Sequence, residues 1–410
     1  MSTCDHSCIN ASDGEKRAAA VSERRYSLAL TFAVFLLIRA VVLVAAYTAP
    51  LDRTRPNLWW VDMPLSRWDY GHYAVIMERG YPPGDPRCEQ IAFFPGYPLA
   101  GRLLRPWLPP DLALPVVSHI AAAVAVCFLY LWARRLFDPK VAFWGATLLS
   151  ACPPAMFLSA GYADALLLAC VAVALWLLQK GWIYSAALAS GYATLTRPTG
   201  LALAAVIVLW AWFDGARLNW TRRGLRVIAI GTIAVSGFIV FQAYLWHHYG
   251  RPDAFVQTQS NWGMDKPVPN PVERIVTLKP LVQPALKPLK YLARGQFDKF
   301  GEPLETWSPM FSLLVLVVAV LGLCGRSPIP RVLFLVPIFV FLMAYLPDPY
   351  RGARMVGIAR YQLMSLPCFV LVGSWMARRW HGLVRYALVV GMVAVQCMYA
   401  RLFADWRYIG

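Results

Sequence analysis

The sequence predicts an all-α integral membrane protein with about eleven transmembrane helices, and between ten and twelve in all. Of the 410 residues, 59% are apolar and only 15% are charged. The mean hydropathy is +0.49, and roughly half of an ordinary soluble domain is apolar. Many apolar runs also approach the roughly 20 residues that span a bilayer as a helix. Together these observations exclude an ordinary soluble domain.

The apolar runs, taken in order, give eleven candidate spans, whose ends we place at turns and charged residues. They are 28–46, 112–133, 141–160, 163–179, 182–196, 199–213, 226–247, 308–324, 331–346, 356–376 and 382–403. Pro198 lies in "TLTRPTG", where it could instead kink one long helix. Counting two helices there gathers the basic residues of the short loops on one side, as the positive-inside rule expects. We therefore predict a turn at this proline.

This topology divides the chain into a cytoplasmic, disordered head over residues 1–27 and one transmembrane domain over residues 28–410. Residues 47–111 and 248–307 form the two long loops, and both are predicted to be extracytoplasmic. The net charge of +17 lies mostly in cytoplasmic loops, so it predicts contact with membrane lipids and no nucleic acid. Arginine outnumbers lysine and alanine is abundant, which is typical of GC-rich bacteria. The predicted location is therefore the bacterial plasma membrane.

The first outer loop contains an unusually polar stretch, "LSRWDYGHYAVIMERGY" (65–81). If it is helical, spacings of three and four place four side chains on one face: Asp69, His72, Tyr73 and Ile76. An acid and a titratable ring would then be neighbours. The apolar side chains, with Met77, would let this juxtamembrane helix lie flat on the outer membrane surface.

Simpler explanations exist for the same residues. Ser66 and Asp69 match a capping box, in which the carboxylate serves only to begin a helix. His72 and the tyrosines could be packing at the membrane interface. The "AFFPGYP" stretch (92–98) predicts a proline-interrupted turn, which is tolerated at membrane depth only where protein or a water-filled cavity covers the backbone. A cavity near the outer surface is therefore expected.

Four charged residues lie within or at the ends of predicted spans, where a charge by default faces a cavity or the bundle interior. We expect Arg39, in the first span, to form a structural ion pair with Asp164. Arg197 and Arg360 lie at the outer ends of their spans. They could extend to the lipid headgroups, or they could form a site for an anion beside an acid.

Four short motifs follow one another along the chain: Trp68-Asp69-x-x-His72-Tyr73 with Gly80-Tyr81, Phe93-Phe94-Pro95-x-Tyr97-Pro98, Thr196-Arg197-Pro198-x-Gly200, and Arg360-Tyr361 with Pro367 and Phe369. In their order and spacing these motifs resemble the PIG-V mannosyltransferases. The resemblance covers residues 68–369. It implies a GT-C glycosyltransferase that takes mannose from a polyprenyl-phosphate-mannose donor on the side away from the cytosol. It also implies that Asp69 is the catalytic acidic residue.

The residue types fit this chemistry on their own. Transfer from a phosphate-linked sugar needs a base for the acceptor hydroxyl and cations for the departing phosphate. We expect an inverting displacement with Asp69 as base. The predicted substrate-binding residues are Trp68, His72, Tyr73, Asp164, Arg197, Arg360 and Tyr361, and no cluster of metal ligands or cofactor site is evident.

Three alternative functions fit the same residues. A lipid or solute transporter, such as a flippase, would share the span count and the buried charges but would need no chemistry at Asp69. A non-catalytic assembly subunit would tolerate the loss of Asp69 and both arginines. The same enzyme could also use another lipid-linked sugar. The hydroxyl acceptor, whether glycolipid, glycan or protein, does not follow from the residues.

Overall fold

The structure is a computed structural model that describes residues 26–49, 63–258, 282, 286–295, 307–345 and 357–406. Over these residues the fold is all-helical, as predicted, and contains no strand. The α-helices are α1 Leu28–Tyr47, α2 Asp69–Arg79, α3 Gly96–Leu104, α4 Pro110–Arg134, α5 Pro139–Ala151, α6 Asp164–Gln179, α7 Ile183–Thr196, α8 Gly200–Asp214, α9 Trp220–Ala234, α10 Ser236–Tyr249, α11 Ala254–Thr258, α12 Lys287–Ala293, α13 Trp307–Cys324, α14 Leu335–Tyr345, α15 Ile358–Tyr361, α16 Leu366–Arg379 and α17 Gly382–Ala404. Short 3-10 helices cover Glu89–Ala92, Pro153–Leu158, Arg331–Phe334 and Gln362–Met364. The predicted head lies outside the described residues, except for its last two.

Among the described helices, α1, α4 and α17 are each long and apolar enough to cross a bilayer. The bent pair of α9 and α10 is a fourth candidate when it is taken as one span. Helices α6, α8 and α13 are apolar but shorter. The chain is therefore an integral membrane protein, and the count of eleven spans stays a prediction.

The predicted helix 226–247 is two helices in the structure. Helices α9 and α10 meet at Val235 and are bent by 59°. The bend coincides with Ser236 and Gly237, and such small residues are common at sharp kinks. Gly237 also lies against α7, where an added Cβ would come within 2.5 Å of the Leu195 amide nitrogen. Close packing at this glycine explains why the helix turns there.

Two other predicted spans are also interrupted. In 141–160, α5 ends at Ala151 because the Cys152-Pro153-Pro154 sequence cannot continue an α-helix, and a 3-10 helix follows. In 356–376, the short α15 and a 3-10 turn precede Ser365, after which α16 begins. Both interruptions bring irregular backbone to the candidate site described below.

The predicted turn at Pro198 is confirmed, because α7 ends at Thr196 and α8 begins at Gly200. The two helices pack against each other. An added Cβ at Gly200 would come within 2.6 Å of the Ala193 carbonyl, so only glycine permits this tight reversal.

The bundle packs α4 against α6, α5 against α16, and α1 against α17. Helix α2 lies on one end of this bundle and is covered by α3 and α4. Tyr73, Ile76 and Met77 are each at most 4% exposed within the protein. The prediction that their side chains face lipid is therefore wrong, because an apolar face in the sequence does not reveal which surface will cover it.

Candidate active site

Asp69 is the first residue of α2, and its carboxylate does not cap the helix. The preceding residue, Trp68, has φ 51° and ψ −113°, and no side chain makes a capping hydrogen bond. A positive φ is rare for a bulky residue and is often found at functional sites. The amide of Asp69 donates to the Tyr162 hydroxyl over 3.2 Å, and that hydroxyl donates to the Arg67 carbonyl over 3.1 Å. The capping-box interpretation is therefore wrong.

The carboxylate of Asp69 forms an ion pair with Arg360. Its Oδ2 lies 2.9 Å from the Arg360 Nη2, and the side chains are 18% and 5% exposed, respectively. The guanidinium carbon of Arg360 lies 5.2–5.4 Å from the ring centroids of Phe157, Tyr162 and Tyr361. Aromatic faces attract a desolvated cation, so this setting favours a charged guanidinium inside the protein.

A second, more deeply buried ion pair joins Asp164 and Arg197. The Arg197 Nη1 lies 2.6 Å from the Asp164 Oδ2, with 10% and 3% of the side chains exposed. Asp164 lies in the first turn of α6, where the helix dipole stabilises a negative charge. Arg197 has an extended backbone (φ −156°, ψ 150°), as expected for a residue that precedes proline.

This pairing corrects the predicted partner of Asp164. Arg39 instead donates to the carbonyls of Ala155 and Ser150, each over 2.6 Å, and to the side chains of Ser159 and Gln396. It thereby ties α1 to α17 and to the irregular segment after α5. The sequence shows how deep Arg39 lies in a span but not that backbone carbonyls around the proline-interrupted end of α5 can satisfy it.

The ring of Tyr361 joins the two ion pairs. Its centroid lies 4.9 Å from the guanidinium carbon of Arg197 and 5.3 Å from that of Arg360. The two guanidinium carbons are therefore no more than about 10 Å apart. The predicted anion-binding arginines are thus brought to one place, beside the predicted base.

Tyr73 is fully buried next to both ion pairs. Its ring packs edge-on against Phe93 and Tyr97, with centroids 5.2 and 5.1 Å away. Burial raises the pKa of Tyr73 well above its ordinary value, while the positive charge of Arg197 acts in the opposite direction. Its hydroxyl is therefore protonated at neutral pH and can donate a hydrogen bond.

His72 and Trp68 lie beside the ion pairs rather than between them. The His72 imidazole stacks on Phe93 with centroids 4.3 Å apart, and its Nε2 lies 3.8 Å from a Glu89 carboxylate oxygen. Burial lowers the pKa of His72, against the influence of the nearby carboxylates, so the ring is neutral at pH 7. Trp68 packs edge-on against Trp406 at 5.9 Å.

Sequence reasoning did not assign a role to Tyr162 or Phe157. Tyr162 stands two residues before Asp164 in "GYAD", and its position within that polar turn was the only available signal. Phe157 lies in an apolar run without any signal. Among the described residues, no three His, Cys, Asp or Glu side chains could hold a metal ion together, and metal independence stays a prediction.

Parts of the chain are similar in sequence to known mannosyltransferases. Residues 110–246 match the family described as dolichyl-phosphate-mannose-protein mannosyltransferase. GPI alpha-1,6-mannosyltransferase 2 of Homo sapiens is 29% identical over 236 residues, which are 52% of this chain and 45% of that protein. The Cricetulus griseus protein of the same name is 35% identical over 152 residues, covering 33% of this chain and 29% of that protein. The resemblance to the PIG-V mannosyltransferases is confirmed.

The match to the PIG-V relatives is partial, since it spans less than half of their length. The family match over 110–246 includes Asp164 and Arg197 but neither Asp69 nor Arg360. Among solved structures, ArnT from Cupriavidus metallidurans bound to undecaprenyl phosphate is 15% identical, with a TM-score of 0.49 over 92% of this chain and 75% of that chain. The oligosaccharyltransferase AglB from Archaeoglobus fulgidus, in complex with an inhibitory peptide and a dolichol-phosphate, is 12% identical, with a TM-score of 0.43 over 94% and 56%.

Proposed function

We propose that the chain is an inverting mannosyltransferase that moves mannose from polyprenyl-phosphate-mannose to a hydroxyl acceptor on the extracytoplasmic side. The observation that carries this proposal is the convergence of Asp69, Arg360, Tyr361 and Arg197 at one end of the bundle. The site offers one partly accessible carboxylate for proton transfer and two cations for a phosphate. The choice of mannose as the transferred sugar rests on the names of the similar proteins, which are mannosyltransferases.

The donor phosphate binds beside Tyr361, between the two guanidinium groups. A sugar phosphodiester carries one negative charge, and its phosphate gains a second as the sugar leaves. Guanidinium groups bind phosphate oxygens with paired, charge-assisted hydrogen bonds. Arg197 and Arg360 therefore stabilise the departing phosphate more than the bound donor, and such a difference accelerates a reaction.

The ion pair of Asp69 and Arg360 belongs to the donor-free site. In a single displacement, the base and the leaving phosphate lie on opposite sides of the anomeric carbon, so a base cannot remain in contact with a guanidinium that holds the phosphate. Donor binding therefore draws Arg360 to the phosphate and releases Asp69. The released carboxylate accepts the proton of the acceptor hydroxyl as the new glycosidic bond forms.

The other predicted site residues have supporting roles. Asp164 is a positioning residue, because its carboxylate holds Arg197 rather than the substrate. Tyr73 donates a hydrogen bond from its protonated hydroxyl to the sugar or the phosphate. His72, stacked on Phe93, forms with that ring a flat and uncharged wall for the sugar, and Trp68 orients Asp69 through its backbone.

The proposed donor gives a direct test. Purified protein in detergent should release polyprenyl phosphate from polyprenyl-phosphate-mannose when a hydroxyl acceptor is added, and it should not react with GDP-mannose. Chromatography of the released lipid measures the first reaction. Transfer from GDP-mannose without a lipid carrier would contradict the proposal. Tight binding of the lipid without acceptor-dependent release would favour a transporter.

The proposed side of the membrane gives a second test. A cysteine placed at Asp85, an exposed residue in the loop after α2, should react with a membrane-impermeant thiol reagent in intact cells. A cysteine at Arg217, in the exposed turn after α8, and the native exposed Cys324 should react only after the cells are broken. The reverse pattern would place the site in the cytoplasm.

A further inference from the structure

A small basic pocket lies at the end of the bundle opposite Asp69. It has a volume of about 160 Å³ and is formed where the segments after α4 and α13 meet the last turns of α16. Its lining residues include Phe137, Leu371, Ser374 and Trp375 and three arginines: Arg326, Arg378 and Arg379. The 14 residues of α16 separate it by roughly 20 Å from the proposed active site. It is therefore a separate site.

The three arginines have no acidic partner within the part of the chain that the structure describes. All three are exposed, and none is in an ion pair there. Asp138, next to Phe137 in the chain, accepts a hydrogen bond from the Val141 amide over 3.0 Å. That carboxylate serves to begin α5.

The ends of helices do not cancel this positive charge. Three helices, α4, α13 and α16, end near the pocket, and each carboxyl end contributes roughly half a negative charge. The three positive charges of the arginines exceed the summed negative charge of these helix ends by more than one elementary charge. Counting only the described residues, the pocket therefore has an excess of positive charge that an anion would complement.

We propose that this pocket binds the phosphate of an anionic lipid headgroup. The volume suits a group the size of a phosphate, because sites that enclose drug-sized molecules occupy roughly 300–1,000 Å³. Guanidinium groups match the geometry of phosphate oxygens. Trp375 and Leu371 present apolar surface beside the arginines, and tryptophan is enriched at the level of lipid headgroups. Basic pockets between membrane helices bind lipid phosphates in this way.

The test uses the purified full-length chain in neutral detergent. Its thermal unfolding midpoint is followed while phosphatidylglycerol, phosphatidylcholine or inorganic phosphate is added, because a ligand of the folded state raises the midpoint. Phosphatidylglycerol should raise it and phosphatidylcholine should not. Arg378→Gln with Arg379→Gln should increase the half-saturating phosphatidylglycerol concentration by at least about tenfold, since hydrogen bonds to charged groups are lost.

The matched control is Arg217→Gln with Arg222→Gln, which removes the same charge from exposed arginines elsewhere and should change the half-saturating concentration less than twofold. Equal losses in both double variants would show nonspecific surface attraction and overturn the proposal. If inorganic phosphate raised the unfolding midpoint equally, with the same dependence on the arginines, the pocket would be a site for free phosphate. That result would overturn the proposal of a lipid headgroup. Arg326 lies in a loop, where a substitution disturbs no helix. Arg326→Gln therefore provides the same test if the double variant does not fold.

Discussion

Asp69→Asn should lower the rate of mannosyl transfer by about 10²-fold or more while the protein still folds. Asparagine has nearly the same size and, like aspartate, can begin a helix, but it cannot accept a proton. The carboxylate is partly accessible and makes no cap, so its removal should leave the backbone of α2 in place. The measurement is the turnover of polyprenyl-phosphate-mannose by the variant and by the wild type. The variant is used only if its gel-filtration profile matches that of the wild type.

Asp85→Asn is the matched control. Asp85 lies in the loop after α2, is exposed, and accepts a hydrogen bond from the Arg87 amide over 2.8 Å, a bond that asparagine preserves. Its turnover should equal that of the wild type. Asp69→Glu keeps the acid but displaces it, and should be partly active at best. Normal turnover in Asp69→Asn would show that Asp69 serves only to hold Arg360.

Much of the fold was predictable because helices that cross a membrane appear in the sequence as long apolar runs. The turn at Pro198 followed from the distribution of basic residues, and the structure contains it. The bend at Val235 was not predictable, because it depends on the approach of Gly237 to α7. Such a contact joins distant segments and leaves no local mark beyond two small residues.

The charged members of the candidate site were predictable from the sequence, but their pairing and the aromatic rings around them were not. Asp69, Arg197 and Arg360 stood out because charges are rare among apolar runs. Their partners depend on tertiary contacts, so the sequence paired Asp164 with Arg39 although Arg197 holds it. The rings of Phe157 and Tyr162 around Arg360 were equally hidden, because one aromatic residue among many is no signal.

Arg197→Gln and Asp164→Asn should each destabilise the protein by about 3–5 kcal/mol, because each leaves the other charge buried without its partner. The double variant should recover much of that loss, since no buried charge remains. The free energy of unfolding in detergent, measured for all four proteins, gives the coupling. The exposed pair Arg226 and Asp214, with a contact of 2.5 Å, is the control and should contribute at most about 1 kcal/mol.

The activity of the double variant distinguishes two roles for Arg197, which are to hold the donor phosphate and to neutralise Asp164. If it holds the donor phosphate, the double variant should regain stability and still turn over donor slowly or with a raised KM, because no cation replaces the guanidinium. If Arg197 serves only to neutralise Asp164, the double variant should regain activity together with stability. Among the residues that the structure describes, the second outcome would leave Arg360 as the one arginine of this site for the phosphate. Arg360 would then have to release Asp69 and stabilise the leaving group by itself, so Arg360→Gln alone should abolish turnover.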